Sequence, residues 1–209
     1  MGQILKFPIQ GSKFGYKRAR KQKRNAENPD QLQFLFDASC KILSFFPDTN
    51  FFEQALIFDE RDDARAAEFY RIAIEEGVCV ADACCNLGII ESRNGNTSKA
   101  FDCFTTSLKH NPRHLEAHYN LGNLYFDVND FRLAQVHYEM AVEVDPTFSK
   151  IYFNLALVQA INNDHAAAAA TLVKYEQLVP EEEARHADEL LQSLRKSLNP
   201  AEPSSCGSK

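Results

Sequence analysis

LEAHYNLGNLYFDVNDFRLAQVHYEMAVEVDPTF, from Leu115 to Phe148, holds two runs of apolar residues at three- and four-residue spacing. Asn129-Asp130 separates the runs, and Asp145-Pro146 ends the second. Such spacing places apolar side chains on one face of a helix, so the segment reads as two helices joined by a tight turn. Neither helix could bury that face alone, so neighbours of the same design are required.

Those neighbours are present. Pro112, Pro146 and Pro180 are spaced by 34 residues, and at that period segments beginning at Ala81, Leu115 and Ser149 align without a gap. Leu87, Leu121 and Leu155 are the large apolar residues of each first helix, and Gly88, Gly122 and Ala156 follow where two helices approach closely. Gly95, Asn129 and Asn163 adopt positive φ cheaply and let the chain reverse. Each second helix then carries Ala100, Ala134 or Ala168, followed four residues later by Phe104, Tyr138 or Leu172. Three residues further on stand Ser107, Ala141 and Tyr175. Proline closes each unit because it cannot continue a helix interior.

These columns resemble the tetratricopeptide repeat family, with the middle segment nearest its consensus; Cys84, His118 and Tyr152 replace the family's usual tryptophan. The resemblance implies an all-α fold: a right-handed solenoid of helical hairpins with three clear repeats, one divergent repeat and a C-terminal capping helix. The repeat domain is expected over 47–198, divided into 47–80, 81–114, 115–148 and 149–182 with a cap at 183–198. In the divergent first repeat, Ala66, Tyr70 and Ala73 fall on the second-helix columns. Its first helix matches poorly, because Glu53 and Gln54 stand where leucine and a small residue belong, and a one-residue slip is one way to read it. The cap is expected to turn Ala184, Ala187, Leu190, Leu191, Leu194 and Leu198 to one side.

The flanks differ in character. Residues 1–26 carry eight Lys or Arg and no acid, whereas the remainder carries 15 basic against 29 acidic residues. Residues 1–29 therefore read as a basic, disordered arm. Lys13, Lys17, Arg18, Arg20, Lys21, Lys23 and Arg24 are candidate contacts to nucleic acid or another polyanion. Residues 30–46 are apolar and read as a helix covering the open end of the first repeat, with dimerisation or filling of the groove as alternatives; 199–209 reads as a disordered tail.

Six cysteines without scaffold spacing suggest a reduced, cytoplasmic setting. No stretch reaches the roughly 20 apolar residues of a membrane-spanning helix. No phosphate-binding glycine loop or paired-cysteine metal module occurs, so no enzyme activity, metal or cofactor is expected.

In the family, the first helices line a concave groove for peptides or helices of a partner protein. The resemblance assigns to that groove Cys85, Asn86 and Ile89, then Tyr119, Asn120, Asn123 and Phe126, then Lys150, Phe153, Asn154 and Leu157. Asparagine amides can pair with peptide backbone, and the aromatics can anchor apolar side chains, unless they pack on the chain's own N-terminal segment. At the positions of the family's two-carboxylate clamp stand Cys85, Ile89, Asn120, Lys150 and Asn154. Only Asn120 and Lys150 agree, so a chaperone clamp is not expected. The resulting function is a protein-binding scaffold or adaptor; the alternative is a recruitment module tethered to nucleic acid or an anionic surface by its basic arm.

Overall fold

The computed structural model describes residues 49–198; the arm, the apolar segment at 30–46 and the tail lie outside the described residues. The described chain is helical throughout, without strands. Its elements are α1 (Phe51–Glu60), α2 (Arg65–Glu75), α3 (Val80–Arg93), α4 (Thr97–His110), α5 (Leu115–Asp127), α6 (Phe131–Val144), α7 (Ser149–Ile161), α8 (His165–Leu178) and α9 (Glu181–Leu198). They form two compact units whose division falls inside α5, between Ala117 and His118.

Local chemistry sets where each helix stops. Asp62, Gly95, Asn129 and Asn163 all take positive φ, between 52° and 76°. In each case the next residue's N–H returns to a carbonyl five residues back: Asp63 to Phe58, Asn96 to Glu91, Asp130 to Tyr125 and Asp164 to Gln159. This closure satisfies carbonyls that the helix end would leave bare. Asp130 and Asp164 then cap the following helices by accepting the Leu133 and Ala167 N–H groups at 3.2 and 3.0 Å. Between hairpins, Asn111 and Asp145 accept the N–H two residues on, across Pro112 and Pro146.

The turn at Asp62 precedes Gly95 by 33 residues, one fewer than the later period. That shift puts Gln54, fully buried, in the leucine column and Ala55 in the small-residue column. Gln54 tolerates the position because its Nε2 donates to the Thr49 carbonyl at 3.0 Å.

Each unit has its own core. In residues 49–117, Phe52, Ala55, Phe58, Ala66, Phe69, Tyr70, Ala73, Ala83 and Leu87 pack together. In residues 118–198, α9 lays Ala187, Leu190, Leu191 and Leu194 against Ala156, Ala160, Ala168 and Leu172. The close approach expected at the glycine columns is present. A Cβ added at Gly88 would stand 2.7 Å from the Phe104 ring, and one at Gly122 would stand 2.5 Å from the Tyr138 ring.

Candidate protein-binding face

The eleven residues assigned to the groove do not share one environment. On α3, Cys85, Asn86 and Ile89 are buried. On α5, Tyr119, Asn120 and Asn123 are buried, and Phe126 is partly exposed. On α7, Asn154 and Leu157 are buried, Phe153 is partly exposed and Lys150 is exposed. Only Phe126, Lys150 and Phe153 therefore present side-chain surface to solvent.

Several of the asparagines serve the fold. Asn123 Oδ1 accepts two hydrogen bonds, from Tyr138 Oη at 2.8 Å and from Asn154 Nδ2 at 3.1 Å. Asn154 Nδ2 also lies 3.5 Å from Tyr119 Oη, and burial pushes that phenol's pKa up. This network joins α5, α6 and α7 through side chains that are all buried. The first unit repeats the idea: Asn86 Nδ2 donates to Tyr70 Oη at 3.1 Å, and that hydroxyl donates to Asp59 at 3.3 Å. A buried amide with partners fixed on two helices holds neighbouring hairpins in register, because any slip leaves polar atoms unpaired in a dry interior. Asn123 Nδ2 keeps one donor without a partner.

Histidines take structural positions as well. His114 Nδ1 accepts the Ala117 N–H at 3.2 Å, capping α5, while Nε2 lies 2.9 Å from Asp82 Oδ1. The cap requires Nδ1 to be unprotonated, so Nε2 carries the hydrogen donated to Asp82. His118 and His137 meet through Nδ1 atoms 3.1 Å apart, with ring centroids 5.4 Å apart. The centroid separation equals that contact plus the two ring radii, so the nitrogens face head-on. One donates and the other accepts; the pair does not converge on a third point as a shared metal would need. Among the described residues, no group of three or more His, Cys, Asp or Glu side chains could hold a metal ion.

His137 also stacks on Tyr125 at 5.4 Å. Its pKa is lowered to about 4, by burial first and by His118 second. An unfolded histidine titrates near 6.5. The contribution of neutral His137 to stability is thus complete above pH 6.5 and is lost as pH falls toward 4, because the unfolded chain binds the proton more readily. Melting temperatures recorded from pH 7.5 to 4.5 should fall more steeply for the native chain than for His137→Asn. Parallel curves would contradict the assignment.

Cysteine chemistry is muted on α3 and α4. Burial pushes the thiols of Cys84 and Cys103 up to about 11, so both stay protonated and poorly nucleophilic at neutral pH. Among the described residues, no helix is long and apolar enough to cross a membrane.

Three family models for the tetratricopeptide repeat match the chain, over residues 115–148, 137–170 and 85–127. No curated protein matches it in sequence. Among solved structures, the chain is similar to the first such domain of Spaghetti (RPAP3) bound to the HSP90 peptide SRMEEVD. The TM-score there is 0.52 at 19% identity, covering 57% of this chain and 93% of the other. It is similar to a MamA RS-1 ArsTM double mutant, with a TM-score of 0.56 at 18% identity, covering 72% and 96%. It is also similar to the TPR2B-domain:pHsp70-complex of yeast Sti1, with a TM-score of 0.51 at 21% identity, covering 56% and 97%. At these identities the likeness concerns the fold.

Proposed function

Because the chain is a tetratricopeptide repeat protein, we propose that it is a non-catalytic scaffold that binds a peptide or helical segment of a partner protein. The observation that carries this reading is the accessible trio on the first helices of residues 118–198. Phe126, Lys150 and Phe153 keep exposed surface while the groove-column residues around them are buried. Two partly exposed aromatic rings and a lysine suit an extended segment bearing apolar side chains and a carboxylate.

Two of the similar structures carry peptides of HSP90 and Hsp70, which supports a peptide as the class of ligand. The clamp positions of this chain hold Cys85, Ile89 and Asn154, so the peptide is a different one. Protonated Cys84 and Cys103 and the structural use of His114, His118 and His137 favour a binding role over catalysis. They also suit a reducing, cytoplasmic setting.

Selection of a displayed peptide library on the full chain, followed by fluorescence anisotropy, tests the proposal. Lys150→Glu is expected to weaken the selected peptides about tenfold or more. It should leave the melting temperature unchanged, because the side chain is exposed. A selection that enriches no peptide, or equal affinity for Lys150→Glu, would overturn it.

A further inference from the structure

The outer side of α6 carries an apolar stripe that its counterparts lack. Leu133, Val136 and Met140 are 41%, 50% and 39% exposed. At about 100° per residue they fall on one face, opposite the buried Ala134, Tyr138 and Ala141. At the same columns α4 has Lys99, Asp102 and Thr106, and α8 has Ala167, Ala170 and Lys174. Three large apolar side chains in a row are thus peculiar to α6. Such a stripe on an otherwise polar surface marks an interaction site.

We propose that this face of α6 is a self-association surface on which a second copy of the chain docks α6 against α6 in antiparallel fashion. The stripe itself defines the symmetry. A two-fold axis passing between residues 136 and 137 brings Leu133 of one copy onto Met140 of the other and sets the two Val136 side chains together.

Charge complementarity follows without further adjustment. Arg132, Glu139 and Glu143 are exposed and lie along one flank of the stripe. The same axis places Arg132 of each copy opposite position 141, midway between Glu139 and Glu143 of the other, one helical turn apart. Two reciprocal sites of one cation between two carboxylates favour the antiparallel direction, since a parallel two-fold pairing puts like flanks on opposite sides of the seam and takes Arg132 away from Glu139 and Glu143 of the other copy. The stripe is short, and its area falls below the roughly 800 Å² per partner of stable interfaces. The dimer is therefore weak and concentration-dependent.

Sedimentation velocity of the full chain over about 5 to 500 μM tests this, a range that brackets weak association. The native chain should move from the mass of one copy toward two. Val136→Glu should weaken association at least about tenfold by facing two carboxylates at the axis, with its helical circular dichroism and melt unchanged. Arg132→Glu should do the same, and adding Glu139→Lys with Glu143→Lys should restore it. One-copy mass for the native chain at every concentration overturns the proposal and leaves the stripe to a partner of other sequence. A Val136→Glu chain that dimerises as the native one does, or a charge reversal that fails to restore association, overturns it equally.

Discussion

Gly122→Ala is expected to lower stability by about 1–3 kcal/mol, although alanine is the better helix former by nearly 1 kcal/mol. The new Cβ would lie 2.5 Å from Cε1 and 2.6 Å from Cδ1 of Tyr138. Carbon atoms rest comfortably at about 3.5–4.0 Å. The ring cannot swing aside cheaply, because Tyr138 is buried and its hydroxyl is held by Asn123 at 2.8 Å. Moving it would add a broken buried hydrogen bond to the overpacking. The repeat at 149–182 shows a compatible pairing: Ala156 fills the glycine column, and the facing position holds the smaller Leu172. Tyr138→Leu should therefore make Gly122→Ala much less harmful, with a coupling of at least about 1 kcal/mol in a double-mutant cycle. Urea unfolding of the four chains measures it. Additive effects, or an alanine variant more stable than the native chain, would refute the contact.

The second large effect is at Asn123. Asn123→Ala removes the acceptor of both Tyr138 Oη and Asn154 Nδ2, leaving two donors buried without their partner. Each orphaned group costs about 1–3 kcal/mol, so the loss should be about 2–4 kcal/mol. Asn154→Leu removes one donor and leaves Tyr138 satisfied, so it should cost less. The combination Asn123→Leu, Asn154→Leu and Tyr138→Phe, which removes every polar member together, should recover part of the stability. Denaturant midpoints for the series decide it. If Asn123→Ala behaves like an exposed substitution, the network contributes nothing, and Asn123 returns to being only a candidate for ligand contact.

The same residues show what could be read in advance. Apolar spacing and the 34-residue period locate the buried faces, because helix amphipathicity and hairpin stacking are consequences of local order. Gly95, Asn129 and Asn163 mark the reversals because their tolerance of positive φ is a property of the residue itself. The asparagine columns were harder. Recurrence beside the leucine column was visible, and it is the signal that could have marked buried amides. The partners, however, lie elsewhere in the chain: Asn154 meets Asn123 from 31 residues away, and His118 meets His137 from 19. The acceptors, the burial and the lowered His137 pKa all depend on neighbours that periodicity does not name.

By itself, then, the sequence of this protein determined that its chain pairs helices of fixed length and stacks the pairs through small-residue columns. That information resides in spacing and in single-residue backbone preference. The tertiary structure alone decided which side chains of the first helices are spent inside the stack and which remain for a partner. Burial and hydrogen bonding are decided by what packs opposite a residue, and that is set only when the hairpins come together.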